Sequence, residues 1–291
     1  VTATTGNVEL DANGGSSSIV VNAAVTTDDG NGGTANGGDI SLLADDDVTF
    51  AAAGDVTSDG GNVTVTADAD NGGATSGALT MADGTVINAG SGTITLSADE
   101  NVTLGQLITT GAVAITSTAG GVVDGGDTGG TDIQAGAVTI DAVTGVGSGG
   151  AIDTTMTSLD LDNTGSGNVN INETDALSIS KIAQGGAGTV NVDAGGTITV
   201  AGAVTATTGN VELDANGGSS SIVVNAAVTT DDGNGGTANG GDISLLADDD
   251  VTFAAAGDVT SDGGNVTVTA DADNGGATSG ALTMADGTVI N

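Results

Sequence analysis

The side chains of this chain that could do chemistry are its carboxylates. Asp28 and Asp29 are adjacent, Asp45, Asp46 and Asp47 form a triplet, Asp68 and Asp70 a spaced pair, and Asp124, Asp127 and Asp132 a looser trio. Calcium takes roughly six to eight oxygen ligands from carboxylates and carbonyls, and Gly-rich Asp loops supply both. The candidate calcium ligands are therefore Asp28, Asp29, Asp45, Asp46 and Asp47, with their copies Asp231, Asp232, Asp248, Asp249 and Asp250. The competing reading is that Asp favours exposed turns and keeps a β-rich surface soluble. The nonapeptide calcium repeat is not met: GGTDIQ at 129–134 comes near it, and no cluster recurs at nine-residue spacing.

Most other chemistry is excluded by composition. There is no Cys, His or Arg, and the single base is Lys181, so thiol, imidazole and guanidinium mechanisms and a zinc site are ruled out. The 38 acids give a net charge of −37, which excludes nucleic acid as a partner because phosphate needs the opposite sign. GVGSGG at 145–150 matches the dinucleotide fingerprint by letter, but AIDTTMT after it is no helix and the charge repels pyrophosphate. Paired carboxylates on a solenoid could hydrolyse a glycoside. A polysaccharide groove would want aromatic platforms and bases, however, and Phe50 and Phe253 are the only aromatics. Outward pairs such as Thr64 with Thr66 and Thr197 with Thr199 suggest an ice-binding face. The equivalent positions hold Glu9 and Asp11, Ser41 and Leu43, Thr139 and Asp141, and Asn170 and Asn172, so no regular array survives. Lys181 reads as a surface residue paired with Asp175. No catalytic or cofactor-binding residue is assigned, and the chain reads as non-enzymatic. No apolar run of about 18 residues is present to span a bilayer.

An internal repeat organises these residues. Residues 1–88 recur unchanged as 204–291, a period of 203 residues that carries 25 acids and one Lys. The chain opens in mid-phrase with VTATTGNVEL, and we expect it to be a piece of a longer tandem array. Within the period a shorter phrase returns: Gly, a small or polar residue, then alternating apolar and polar positions. It occurs as GNVELDA (6–12), GDISLLA (38–44), GNVTVTA (61–67), GTITLSA (92–98), GAVAITS (111–117), GAVTIDA (136–142), GNVNINE (167–173) and GTVNVDA (188–194), with GTITVAG (196–202) running on. Alternation at period two with β-branched residues predicts half-buried strands. Shorter strands such as SIVVNA (18–23), AVTT (24–27), NVTLG (101–105) and QLITT (106–110) follow the phrases.

Phrase spacings of mostly 20 to 31 residues suit one coil of a β-solenoid, three strands and three turns stacked in parallel on the next. A helical reading fails because Gly interrupts every stretch. An immunoglobulin-like sandwich is the rival for short strands, but it wants large residues between its sheets. The expectation is one continuous all-β parallel solenoid over 1–291, through the join at 203–204. Glycines at the phrase starts and Asn-Gly pairs (Asn13-Gly14, Asn31-Gly32, Asn36-Gly37, Asn71-Gly72) are expected to supply positive φ at corners. DDGNGGTANGG (28–38) and DADNGGATSG (68–77) are expected to protrude as loops.

The phrases GNVTVTA, GTITLSADENVTLG and GGTITVAGAVTATTGNVEL resemble, over nearly the whole chain, the repeats of filamentous haemagglutinin-like and other giant bacterial surface adhesins. The resemblance implies a right-handed parallel β-helix, export to the cell surface, and the shaft of an adhesin or extracellular fibre. It implies no catalytic residue. The function expected is a structural shaft whose partner is itself, through end-to-end or lateral contacts. The alternative is a binding module whose Asp/Gly-rich loops grip surface glycans. With −24 per period, bare shafts would repel one another beyond the roughly 8 Å reach of physiological screening, so bound calcium is expected among the acids.

Overall fold

The alternation of β-branched and small polar residues produces short parallel strands, and no helix occurs among the described residues. The computed structural model describes residues 1–28, 37–70, 77–128, 130–231, 239–273 and 280–291. The backbone forms two compact units, Val1–Ala142 with Ser148–Ile152, and Val143–Gly147 with Asp153–Asn291.

In the first unit the long phrases stack in chain order. Val8–Ala12, Ile40–Ala44, Val63–Ala67, Ile94–Ala98, Val113–Ser117 and Ala137–Ala142 pair successively, all in parallel. A second stack runs Ile19–Val21, Val48–Phe50, Leu79–Met81, Val102–Leu104 and Val122–Asp124. A third runs Thr2–Ala3, Val25–Thr27, Val56–Ser58, Val86–Gly90, Gln106–Thr109 and Ile133–Gln134. Each coil contributes one strand to each stack, which is a parallel β-helix. An antiparallel sandwich is excluded by these registers.

The second unit repeats the plan. Its first stack is Val169–Glu173, Val190–Ala194, Val211–Ala215, Ile243–Ala247 and Val266–Ala270. Its second stack ends in Ile198–Val200, Ile222–Val224, Val251–Phe253 and Leu282–Met284, and its third in Val204–Ala206, Val228–Thr230 and Val259–Ser261. Leu177–Gln184 is one eight-residue strand that pairs with both Ile198–Val200 and Val204–Ala206. Ala203 lies between these two strands and Val204 opens the second, in register with Ile182, so pairing passes through the join without interruption.

Register, more than coil length, is what the stack conserves. Val8 pairs with Ile40 across 32 residues, whereas Ile94 pairs with Val113 across 19. The turns absorb the difference. Inward positions then align as rows, such as Leu42, Val65, Leu96, Ile115 and Ile140, every one of them buried. Burying each such side chain stabilises the fold by about 1.5–3 kcal/mol before entropy is counted. The two aromatics sit in this core, Phe50 in register between Val21 and Met81 and Phe253 between Val224 and Met284.

The phrase-opening glycines have a different cause from the one expected. Gly167, at 93°, has the positive φ expected of them, but Gly38, Gly61, Gly92, Gly188, Gly209, Gly241 and Gly264 do not. They stack on one another instead. A Cβ on Gly38 would overlap the Gly6 carbonyl, one on Gly61 the Gly38 carbonyl, and one on Gly92 the Gly61 carbonyl. The second unit repeats the ladder through Gly167, Gly188, Gly209, Gly241 and Gly264. In the Asn13-Gly14 corner the positive φ falls one residue later, on Gly15 at 74°. Asn31-Gly32, Asn71-Gly72 and Asn36 lie outside the described residues.

Gly6 and Gly209 are the same residue of the repeat, but a Cβ on Gly6 meets nothing within 4 Å while one on Gly209 overlaps the Gly188 carbonyl. Gly6→Ala should therefore leave stability unchanged or slightly raised, and Gly209→Ala should lower it by about 1–3 kcal/mol. Urea unfolding of the two variants checks this; equal effects would refute the steric ladder.

Candidate functional site: the acidic corners

At many corners, where a coil turns into its next strand, one backbone N–H points along the stack toward the neighbouring coil. A side-chain carbonyl or carboxylate from the neighbouring coil accepts it. At the first corner the Asp39 amide donates to Asn7 Oδ1 (3.0 Å), the Asn62 amide to Asp39 Oδ1 (2.8 Å), and the Thr93 amide to Asn62 Oδ1 (2.9 Å). The second unit repeats the chain, from the Thr189 amide to Asn168 (3.0 Å), the Asp242 amide to Asn210 (2.9 Å) and the Asn265 amide to Asp242 (2.7 Å). The next corners use Asp47 for Ala78 (2.9 Å), Asn101 for Gly121 (2.9 Å), Asp55 for Val86 (3.0 Å), Asp250 for Ala281 (2.7 Å) and Asp258 for Val289 (2.8 Å). The polar residue of the phrase is thus a staple between coils. Short polar side chains suit it because they bond to backbone groups close by.

This geometry separates the expected calcium ligands. Asp45 Oδ2 accepts the Gly15 amide at 2.8 Å and Asp46 Oδ2 the Ser18 hydroxyl at 3.3 Å, whereas Asp47 turns to Ala78 on the other side. In the copy, Asp248 Oδ2 accepts the Gly218 amide at 2.8 Å and Asp250 accepts Ala281. The Asp249 amide donates to the Ser220 carbonyl at 2.9 Å. The Asp28 amide donates to the Ala3 carbonyl and the Asp231 amide to Ala206. Asp29 and Asp232 lie outside the described residues, as do most of 28–38 and 68–77 and the first residue of GGTDIQ. Among the described residues no group of three or more acids is arranged to hold a metal ion. Asp45 and Asp47 thus staple their coil to neighbours on opposite sides, and Asp46 bonds to the Ser18 hydroxyl.

Three carboxyls have environments that move them. Glu173 is the largest departure. It occupies the inward position held in register by Ala194 in the next coil and is 1% exposed. Loss of solvation pushes its pKa up to about 7, against bonds from the Thr154 hydroxyl (2.8 Å) and the Met156 amide (3.1 Å). Asp214 is raised by burial and by Asp193, Glu212 and Asp248. Asp83 is lowered by the Thr128 hydroxyl (2.6 Å) and amide (2.9 Å). Lys181 pairs with Asp162 at 2.6 Å, not with Asp175, because Leu177–Gln184 lies beside Ser158–Asn163. Both partners are partly exposed, so the pair is worth at most about 1 kcal/mol.

The remaining candidate motifs resolve simply. Gly145, Gly147 and Gly149 have positive φ and the strand Ile152–Thr155 follows, where a dinucleotide fingerprint requires a helix. The outward row Glu9, Ser41, Thr64, Thr95 and Ala114 is in register but chemically mixed. In the second unit Asn168, Asn170, Asn191, Asn210 and Glu212 line a shallow polar trough of about 830 Å³. No helix among the described residues is long and apolar enough to cross a membrane. No protein-family model, curated protein or solved structure matches the chain.

Asp47→Asn keeps the acceptor and should leave stability within about 0.5 kcal/mol, while Asp47→Ala strands the Ala78 amide and should cost about 1–3 kcal/mol. Thermal or urea unfolding reads both; an equal loss in the two variants would show that charge matters, not the staple. Glu173 has a folded value above its ordinary 4.5, so the native state holds a proton that the unfolded chain has released between pH 4.5 and about 7. Stability should therefore fall as pH rises across that window, by a few kcal/mol. Glu173→Gln should flatten this part of the profile, measured by urea unfolding from pH 5 to 8.

Proposed function

We propose that this chain is a non-enzymatic structural repeat, the shaft of an extracellular fibre, sheath or giant adhesin. The observation that carries the reading is the uninterrupted strand pairing across the repeat join, from Val190–Ala194 to Val211–Ala215 and onward to Val266–Ala270. A period that ends in mid-stack has no natural stopping point, which suits a protein whose product is length. The polar side chains also favour this role, since so many are engaged in stapling coils. Placement outside the cell follows from the resemblance to filamentous haemagglutinin-like surface adhesins. Calcium, in this reading, acts as a counter-ion between neighbouring shafts.

A second reading, a binding module for surface glycans, is favoured by the polar trough lined by Asn170, Asn191 and Glu212, which lie in register in successive coils. Glycan arrays and titration calorimetry distinguish it, because a shaft shows no saturable binding.

The shaft is tested by length. Arrays of one, two and three periods, imaged by electron microscopy, should lengthen by about 40 Å per period at the strand spacing of stacked coils. Particles that grow in all dimensions would refute the reading. Replacing calcium by sodium at fixed ionic strength should loosen lateral bundles; unchanged bundling would leave the acids with solubility alone.

A further inference from the structure

The tetrapeptide Ala-Asn-Gly-Gly occurs four times, at 12–15, 35–38, 215–218 and 238–241. Asparagine is thermolabile, and most so before glycine, whose amide nitrogen no side chain shields from the asparagine Cγ. All four share the reacting residues and their nearest neighbours, so a difference in reactivity between them comes from the fold. The fold treats them in two ways. At 238–241 the Gly240 amide donates to the Asp262 carbonyl at 2.6 Å, and the Gly37 amide in the other copy donates to Asp59 at 2.7 Å. At 215–218 the Gly217 amide has no acceptor among the described residues, and neither has Gly14 in the other copy. Asn216 and Gly217 are both exposed. The groups around them are held instead. The Asn216 amide donates to the Ala194 carbonyl (2.9 Å), the Gly218 amide to Asp248 Oδ2 (2.8 Å), and Asn216 Nδ2 to Asp193 Oδ1 in the neighbouring coil. The corner also holds its glycines in place: a Cβ on Gly217 would overlap the Gly195 carbonyl, and Gly218 has a φ of 72°.

We propose that Asn216 is a self-modifying site, which converts to aspartate and isoaspartate through a succinimide and so loosens its corner with time, while Asn239 is protected. The Gly217 nitrogen gives up its proton and bonds to Asn216 Cγ. The Cγ–Nδ2 bond breaks, and Nδ2 leaves as ammonia, which carries that proton. Water then opens the ring at either carbonyl, giving aspartate or isoaspartate. At Asn239 the attacking amide must first leave the Asp262 carbonyl, which slows the reaction about tenfold. The product changes what holds the coils. Asn216 donates to Asp193, whereas a carboxylate there faces another carboxylate with no proton to share. Asp214, in register with Asp193, is already raised by burial and by that neighbour, so a further acid adds to an existing repulsion. Isoaspartate also lengthens the backbone at a corner where Gly217 has no room for a further atom.

The experiment ages the full chain at pH 8 and 37 °C and reads amide-to-acid conversion by mass spectrometry and isoaspartate by methyltransferase labelling. Trypsin cuts only after Lys181, the single base, so the identical copies fall into separate fragments and fragment ions place the change within each. Asn216 should convert at least about tenfold faster than Asn239, and the difference should vanish in denaturing urea, where the shared tetrapeptide alone sets the rate. Equal rates in the folded chain, a faster Asn239, no conversion at Asn216, or a difference that persists in urea would each overturn the proposal. The loosening is read separately. Asn216→Asp should unfold at a lower urea concentration than the wild type, and adding Asp193→Asn, which puts a donor back opposite the acid, should recover the loss. An Asn216→Asp chain as stable as the wild type, or a double variant no better than the single one, would overturn the part assigned to the Asp193 bond.

Discussion

Every feature of this molecule depends on the parallel register between one coil and the next. Backbone hydrogen bonds along the stack repeat at about 4.8 Å, and at that spacing each residue sits against its counterpart in the neighbouring coil. Apolar rows follow from this, as do the glycine ladder and the side-chain staples. A position that faces inward in one coil must face inward in all of them. A residue too large for a corner, as a Cβ on Gly92 against the Gly61 carbonyl would be, is excluded from that corner throughout.

The same register explains why so charged a chain can hold together. The corner staples need an acceptor, not a charge, and the ladder Asn7, Asp39, Asn62 uses amide and carboxylate alternately for one geometric task. Charge is an additional property of the Asp versions. It acts where acids meet in register, as Asp193 and Asp214 do, and there it adds to burial, the larger cause, in raising the pKa of Asp214. Surface acidity and coil cohesion are thus carried by the same atoms, and cohesion comes from the bond to the backbone.

The strands were legible because their cause is local. GNVTVTA and GTITLSA alternate at period two, and both became strands with inward Val63, Val65, Ile94 and Leu96. Ser158–Asn163 and Leu177–Gln184 were not among the phrases, because SLDLDN and LSISKIAQ do not open on Gly and the second merges two faces into one strand. The bonds made by the acids were not legible, for a related reason. Adjacency in sequence suggests a shared ligand, but Asp45 and Asp47 bond to different coils, and only the fold says which coil is on which side. Glu173 is visible in hindsight as the one acid at the Ala position of a phrase, GNVNINE against GTVNVDA.

The unchanged duplication also poses a problem for the chain as it folds. Ile243–Ala247 is identical to Ile40–Ala44, so Val8–Ala12 could pair with either, and no side chain tells them apart. The choice falls to chain connectivity. Closing the loop from Val8 to Ile243 in place of Ile40 costs about 2 kcal/mol more in loop entropy. That margin is modest, and it vanishes when the two segments belong to different molecules held close together. Accuracy must then come from order: a coil that settles on its neighbour before the next copy emerges from the ribosome never meets the decoy.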